Sequence, residues 1–433
     1  MPFVFLIFFL FSFLIIVKKS PVFSIAYFFL FLYTFFTQLG YLFYPETLAL
    51  VSDGQYYGID AFIVYWFYIF LMFVSIFLLF LFLYEKKYQL PIKIGADEPK
   101  KPRDFLYIAF TFTFQAILIF FLIKYYPDLS YINQRILKGN LLWFYLFCID
   151  GIVLMSLFIK IIFNKKNAKN IFYCLFFLIS TFLLMATGIR SGQRIEIAMT
   201  FIGFLVLLYY MIKDRIKFKK SYIKYVLLAL VIFVVLSQGI RSVRGHIESP
   251  EAFWSVIKNP DTYISLFIPQ NLIFQDWVYP SLTLATSIDK NLIYPSVVIC
   301  SNATVLVPLI DHISLGEIVS RIINPFGVRG YGYSIITEGY NFAGFFGFIY
   351  SAFLFVFGFY LLELFFTRTN DKLFNSFMYG IMGFMIIDIV RGQSISFIKD
   401  IYLYFVPAIF LYCLMGGRVY LTVSKKLAIN QPK

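Results

Sequence analysis

The chain has little charge, almost no histidine and few cysteines. Of its 433 residues only 14% are charged, two are histidine and four are cysteine. About a quarter of the residues in a soluble domain are Asp, Glu, Lys or Arg, so this scarcity excludes an ordinary soluble protein. Three cysteines lie inside apolar stretches and the fourth stands alone, which predicts neither a disulfide framework nor a metal cluster.

Apolar and aromatic side chains make up most of the chain. Hydrophobic residues account for 61% and aromatic residues for 22%, and the mean hydropathy is +0.81. These values predict an all-α polytopic integral membrane protein. The net charge of +14 would favour nucleic acid as a partner for a soluble protein. Here the basic residues lie mainly in short loops between apolar stretches, which indicates membrane topology and no nucleic-acid partner.

About eleven stretches are long enough to cross a bilayer, because about 20 residues rising 1.5 Å each cover its roughly 30 Å core. Their approximate limits are 2 to 17, 21 to 43, 59 to 84, 105 to 123, 141 to 163, 171 to 188, 195 to 212, 223 to 239, 340 to 366, 374 to 390 and 395 to 415. No positive residue precedes the short first stretch, and Lys18 and Lys19 follow it. We therefore interpret it as an anchor or first span rather than a cleaved signal peptide.

Lysine-rich loops alternate with the other loops along the chain. With the N-terminus outside and the C-terminus inside, the inner loops hold 20 Lys and 4 Arg, and the outer loops hold 5 Lys and 8 Arg. This distribution satisfies the positive-inside rule. Arginine is nevertheless the majority outside, where the rule disfavours it. Because guanidinium binds phosphate or carboxylate oxygens in two-pronged geometry, we expect an anionic ligand on the outer face.

One outer segment is much longer than the others. It covers residues 240–339 and separates about eight N-terminal spans in 1–239 from about three C-terminal spans and an inner tail in 340–433. Prolines break its apolar part into short pieces. We expect it to form short amphipathic helices that lie on or dip into the outer interface rather than a separate globular domain.

Two related motifs place arginines at outer helix ends. They are GIRSGQR, residues 188–194, and GIRSVRGH, residues 239–246. Together with a later outer turn they supply Arg190, Arg194, Arg241, Arg244 and Arg391. Arg194 begins an inward span, where the helix dipole disfavours a cation, so its position favours a ligand or an ion pair. Contacts with lipid phosphates, the helix dipole at C-terminal ends and, for Arg391, a pair with Asp388 would also account for arginines in these places.

The end of the long outer segment is rich in glycine and aromatic residues. It reads NPFGVRGYGYSIITEGYNFAGFFGF over residues 324–348. Aromatic rings beside a carboxylate and an amide are typical of a sugar-binding surface. The sugar-facing candidates beside Glu338 are Tyr331, Tyr333, Tyr340 and Asn341. An interfacial aromatic belt would also explain the tyrosines, but it would not explain Glu338.

In these features the chain resembles the bacterial oligosaccharide repeat-unit polymerases of the Wzy class, which assemble O-antigen and capsule. The likeness covers topology over most of the chain, and its motifs lie in 188–194, 239–246, 327–347 and 388–394. It implies a GT-C-like, metal-independent glycosyltransferase with no cofactor. Such an enzyme transfers a growing glycan from undecaprenyl pyrophosphate to a hydroxyl of another lipid-linked repeat unit.

The resemblance also implies roles for the polar outer residues. The five arginines named above would bind the pyrophosphate leaving group. They would take the place of a metal ion, since the outer loops contain no Asp-x-Asp pair and no His/Asp cluster that could hold one. Three residues are candidates for the general base that accepts the proton of the acceptor hydroxyl. These are Glu338, His246 and Asp276.

The implied setting is the bacterial inner membrane, with a multi-pass chain and an active site that faces the periplasm. The implied partners are undecaprenyl-pyrophosphate-linked glycans, membrane lipids, and a chain-length regulator and a flippase of the same pathway. An O-antigen ligase remains an alternative because it shares the topology and the arginines. A lipid-linked oligosaccharide flippase is a further alternative, but it would place charges within its spans. Here the spans are nearly free of charge, and Asp150 is one of the few exceptions.

Overall fold

The computed structural model of the protein is mostly helical in the residues that it describes. These residues are 2–44, 59–85, 92–97, 103–125, 141–163, 169–191, 195–213, 255, 258–259, 261, 278–306, 318–319, 334–367, 369–391, 399 and 401–423.

The main helices are numbered in chain order. They are α1 (Pro2–Lys19), α2 (Pro21–Phe43), α3 (Ile59–Glu85), α4 (Asp104–Tyr125), α5 (Leu141–Phe163), α6 (Asn170–Ser191), α7 (Ile195–Lys213), α8 (Val278–Asp289), α9 (Pro295–Leu306), α10 (Ile335–Ala343), α11 (Gly347–Phe366), α12 (Lys372–Arg391) and α13 (Val406–Leu414). Most of them coincide with predicted apolar stretches, while α8 and α9 lie in the predicted outer segment. A 3₁₀ helix, Gly344–Phe346, joins α10 to α11, and a π-helix, Ile401–Phe405, leads into α13.

Six helical segments of the described residues are long and apolar enough to cross a membrane. They are Pro21–Phe43, Phe62–Glu85, Asp104–Lys124, Asn170–Thr187, Ile335–Phe366 and Lys372–Val390. The protein is therefore an α-helical membrane protein, because a helix satisfies all of its backbone hydrogen bonds without water. The predicted span at 223–239 lies outside the described residues, and the total of eleven spans stays a prediction.

Two predicted spans differ from the observed helices. The span predicted at 340–366 begins at Ile335 and is interrupted by the 3₁₀ turn, in which Gly344 adopts a φ of 58°. That left-handed conformation suits glycine because it has no Cβ. The predicted boundary between residues 339 and 340 therefore falls inside α10. The last span, predicted at 395–415, is a π-helix followed by α13 over residues 401–414.

The chain divides into two units, each made of segments distant in sequence. The first unit comprises Met1–Gln89, Leu266–Leu362 and Ile386–Asp400, and the second comprises Leu90–Ser265, Glu363–Met385 and Ile401–Lys433. Each unit contains residues from the N-terminal region 1–239 and from the C-terminal region 340–433, because the chain leaves each unit and returns to it.

Aromatic rings fill the core of the first unit. The rings of Phe9 and Phe31 stack with centroids 3.7 Å apart, and Phe73 meets Tyr27 at 5.0 Å. These contacts join α1, α2 and α3. Lipid is as apolar as these side chains, so close ring packing rather than the hydrophobic effect stabilises their association.

Two helices of the long outer segment pack in different ways. Helix α8 packs on α2, α3 and α10, and residues 282–288 are all buried. It is therefore surrounded by protein in this stretch and is not the amphipathic surface helix that the sequence predicts. Helix α9 is closer to that prediction, since Val298 and Ser301 are buried while Ile299 is 58% exposed. The two helices differ in burial because α8 packs against three other helices.

Small residues let helices approach closely in the second unit. A Cβ at Gly203 would lie 3.0 Å from the carbonyl oxygen of Gly380, and a Cβ at Gly383 would lie 2.7 Å from Val206. These positions bring α7 and α12 together. Close approach at small residues is a usual source of packing energy between membrane helices.

The second unit also contains a small sheet that the all-α prediction missed. Strands β1 (Ile92–Asp97) and β2 (Arg418–Val423) pair antiparallel, with Ile92 opposite Val423 and Asp97 opposite Arg418. Both strands lie in segments that the predicted topology puts inside. The β-branched run in RVYLTV was a local signal for a strand, but its partner lies more than 300 residues away.

Replacing Gly347 with alanine is expected to destabilise the first unit by about 1–3 kcal/mol, the usual cost of overpacking. The added methyl group would overlap the backbone carbonyl of Gly339, which cannot rotate away as a side chain could. Thermal unfolding of the purified protein in detergent measures the effect. The control Ala343→Val adds bulk at an exposed position of α10 and should change stability little. Equal stability of both variants would contradict the close approach.

Candidate functional site

Glu338 lies on a short helix whose start is well defined by the sequence. Ser334 caps α10, and its side chain accepts a hydrogen bond from the backbone N–H of Thr337. Glu338 lies in the first turn of this helix, where the dipole favours a carboxylate. The Glu338 residue is fully buried. The structure thus places it in the protein interior rather than in a Gly-rich loop.

Two side chains hold the Glu338 carboxylate. Asn302 Nδ2 donates to Glu338 Oε1 at 2.8 Å, and the Tyr350 hydroxyl donates to the same oxygen at 3.1 Å. Asn302 and Tyr350 are themselves only half-buried. The carboxylate therefore lies one side chain beneath the surface of the first unit.

Asn302 has a second polar atom besides the amide nitrogen that contacts Glu338. Its Oδ1 is buried and has no hydrogen-bond partner in the described part of the chain. The amide orientation follows from chemistry, because its N–H and not its oxygen must face a carboxylate. A buried acceptor without a partner is uncommon in proteins and requires a physical reason. An N–H or O–H group of a ligand would satisfy it.

The backbone of α10 is held from two sides. The Tyr68 hydroxyl, on α3, donates to the carbonyl of Ile336 at 3.2 Å. On α11, Ser351 Oγ donates to the carbonyl of Ile335 at 2.8 Å. Both contacts precede Glu338 by two or three residues, so they restrict the position of the turn that carries the carboxylate.

Hydroxyl and amide groups link α10 to α8. Thr337 Oγ1 lies 3.1 Å from Thr283 Oγ1, and Asn341 Nδ2 donates to Ser287 Oγ at 3.2 Å and to the carbonyl of Leu292 at 2.7 Å. All of these side chains are buried. A satisfied polar network of this kind specifies one arrangement of the helices more strictly than apolar packing does.

The other predicted residues near Glu338 are interior as well. Tyr340 is 5% exposed, and its hydroxyl lies 3.5 Å from Asn291 Oδ1. The amide nitrogen of Asn341 donates its hydrogen bonds to Ser287 and to the carbonyl of Leu292, within the protein. The structure buries both side chains, and their role toward a sugar stays a prediction.

Two of the five predicted arginines lie in described helices. Arg190 is in the last turn of α6, and Arg391 is the last residue of α12. Both are at helix C-termini, where the dipole favours a cation. Asp388 is three residues before Arg391 on the same helix, a spacing that allows an ion pair. The other predicted residues lie outside the described residues: Arg194, Arg241, Arg244, His246, Asp276, Tyr331 and Tyr333.

Sequence reasoning missed Asn302 and Tyr350. The only local signal for Asn302 was a polar Ser301-Asn302 pair within the apolar α9 sequence PSVVICSNATVL. Tyr350 resembled any other interfacial aromatic residue. No group of three or more His, Cys, Asp or Glu side chains that could hold a metal occurs among the described residues.

Protein-family models, curated proteins and solved structures all yield no match to this chain.

Proposed function

We propose that the protein is a metal-independent glycosyltransferase of the Wzy class. It would polymerise undecaprenyl-pyrophosphate-linked repeat units into O-antigen or capsular polysaccharide at the periplasmic face of the bacterial inner membrane. The observation that carries this proposal is the buried carboxylate of Glu338, held by Asn302 and Tyr350. A carboxylate fixed in this way, at a helix end predicted to face outward, fits the transfer of a proton from a hydroxyl group.

In the proposed reaction, Glu338 accepts the proton of the acceptor hydroxyl as its oxygen attacks the anomeric carbon of the donor glycan. A new bond forms between this oxygen and the anomeric carbon. The bond from that carbon to the pyrophosphate oxygen breaks, and the electron pair leaves with undecaprenyl pyrophosphate. Asn302 keeps the carboxylate oriented, and its free Oδ1 accepts a hydrogen bond from a hydroxyl or N–H group of the acceptor sugar.

The pyrophosphate leaving group gains negative charge as the bond breaks. In the proposal, Arg190, Arg194, Arg241 and Arg244 stabilise that charge, with Arg391 as a further member. Preorganised charged donors are an effective means of stabilising a developing anion. Supporting this assignment are the two related motifs, the predicted outer location of all five arginines and the excess of arginine over lysine on that face.

The direct test uses purified protein in liposomes with a lipid-linked repeat unit as the only glycan. The expected product is a ladder of lipid-linked polymers. Transfer only to an added lipid A core acceptor would instead identify a ligase. Movement of the substrate across the bilayer without a new glycosidic bond would identify a flippase.

Replacing Arg190 with lysine is expected to reduce the elongation rate by roughly 10- to 100-fold. Lysine keeps the charge but loses a two-pronged contact, and a hydrogen bond to a charged group contributes about 1.5–3 kcal/mol. The initial rate in the liposome assay measures the loss. The control is Arg103→Lys at an exposed position before α4, which should keep the full rate. An unchanged product ladder for Arg190→Lys would remove this residue from the site.

A further inference from the structure

Two buried aspartates of the second unit have opposite electrostatic surroundings. Asp104, at the start of α4, forms ion pairs with Lys160 Nζ at 3.0 Å and with Lys169 Nζ at 3.2 Å. Asp150, in the middle of α5, is fully buried, and no cation of the described residues forms an ion pair with it. Among the described residues, Asp104 thus has two cationic partners and Asp150 has none.

A short chain of hydrogen bonds ends at Asp150. Gln115 Nε2, on α4, donates to Ser180 Oγ at 2.9 Å, and the Ser180 hydroxyl, on α6, donates to Asp150 Oδ1 at 2.6 Å. Gln115 Nε2 also donates to the carbonyl of Phe176 at 2.7 Å. This series of hydrogen bonds therefore joins α4, α5 and α6 and ends at the carboxyl group of Asp150.

The second carboxyl oxygen of Asp150 lacks a partner. Oδ2 is buried and has no hydrogen bond within the described part of the chain. With one hydroxyl donor and no counter-charge among the described residues, an ionised carboxylate here would be far more costly to bury than a neutral acid group. The surroundings therefore favour the neutral carboxylic acid, with its proton on Oδ2.

The charged groups on the neighbouring helices lie far along their axes. Lys160 is ten residues from Asp150 on α5, about 15 Å at 1.5 Å per residue. The titratable groups on the helices that pack against α5 are Asp104, Tyr107, Lys124 and Tyr125 on α4, Tyr173, Cys174 and Arg190 on α6, Glu196, Tyr209, Tyr210 and Lys213 on α7, Lys372, Tyr379, Asp388 and Arg391 on α12, and Tyr402, Tyr404, Tyr412 and Cys413 on the π-helix and α13. The Lys, Arg, Asp and Glu residues among them lie in the first or last turns of their helices.

We propose that Asp150 is a proton-binding site inside the helix bundle, which keeps its proton at neutral pH and joins α4, α5 and α6 through Ser180 and Gln115. Loss of the proton leaves a bare carboxylate between three helices, so it requires a cation or water to reach Oδ2. This inference concerns a different unit from Glu338 and does not depend on the proposed function.

Infrared difference spectroscopy tests the proposal on the purified full chain. The spectrum of wild-type protein minus that of Asp150→Asn at neutral pH should contain the carbonyl stretch of a protonated carboxylic acid. That band should convert to carboxylate bands as the buffer is made alkaline. The reference variant Asp104→Asn should remove carboxylate bands at neutral pH. Carboxylate bands in the Asp150→Asn difference at neutral pH would overturn the proposal.

A folding readout keeps the outcome clear. An amide is close in shape to a neutral carboxylic acid, so Asp150→Asn should insert, fold and melt within a few degrees of the wild type. Failure of this variant to fold would also count against a neutral Asp150, because replacing a neutral carboxylic acid with an amide changes neither the charge nor much of the shape of the side chain.

Discussion

Replacing Glu338 with glutamine is expected to reduce the rate of glycan elongation by roughly 10²- to 10⁴-fold, the usual contribution of a general base. Glutamine retains the shape of the side chain, and its oxygen can still accept hydrogen bonds from Asn302 and Tyr350. It cannot accept a proton from the attacking hydroxyl. The loss should therefore fall on kcat, while KM for the lipid-linked repeat unit changes little.

The matched control makes the same chemical change where no role is proposed. Glu85, at the end of α3, has a side chain that is 67% exposed and pairs with Lys19, so Glu85→Gln should elongate at the wild-type rate. Thermal unfolding of both variants shows whether the fold is retained. A Glu338→Gln protein that folds and elongates normally would exclude the carboxylate as the base. The liposome assay of the wild type tests the proposed activity independently of this variant.

Replacing Lys160 with methionine is expected to destabilise the second unit by about 3–5 kcal/mol, because it leaves a buried carboxylate without its main partner. Lys160 Nζ contacts Asp104 Oδ1 at 3.0 Å and the carbonyl of Met415 at 3.4 Å, and it lies 5.4 Å from the Tyr107 ring centroid. The other cation that pairs with Asp104, Lys169, has a side chain that is 48% exposed, so its charge compensates the carboxylate less. Equilibrium unfolding in detergent and denaturant measures the loss.

The chain provides an exposed ion pair for comparison. Lys19 and Glu85 lie 3.5 Å apart with side chains 34% and 67% exposed, and Lys19→Met should cost no more than about 1 kcal/mol. The double variant Lys160→Met with Asp104→Asn should recover part of the stability, since it removes the uncompensated charge. Equal losses for Lys19→Met and Lys160→Met would show that burial does not distinguish the two pairs.

The three ion pairs also agree with the predicted topology. Lys19 and Glu85 end α1 and α3, while Asp104, Lys160 and Lys169 lie at the ends of α4, α5 and α6 that the alternation of loops puts inside. The polar network around Glu338 involves segments predicted to lie outside. Helix ends that contact each other must lie at the same depth, so each of these contacts fits the alternation of spans.

The positions of the long helices could be predicted from the sequence with few errors. Helix α2 was predicted at 21–43 and helix α5 at 141–163, and both have these limits in the structure. A continuous apolar run of about 20 residues has essentially one conformation in a bilayer. Its length and composition are properties of the sequence alone.

The candidate site could be predicted only in part. Glu338 was identified from a carboxylate among aromatic residues, whereas Asn302, 36 residues earlier, becomes relevant only because α9 packs beside α10. Tyr340 and Asn341 have the composition of a sugar-binding surface but are buried. Composition near a residue does not reveal which side of a short helix faces the protein.

Composition and the spacing of apolar runs thus determined that this is a helical membrane protein, where most of its long helices lie and which loops carry its arginines. The tertiary structure decided which short helices of the long outer segment are buried and that Asn302 and Tyr350 hold Glu338. It also decided that Asp104 has cationic partners, whereas Asp150 has none among the described residues. The physical reason is the range of the interactions. Insertion in a bilayer depends on each segment's own hydrophobicity, whereas burial and hydrogen bonding depend on partners that the fold brings from far along the chain.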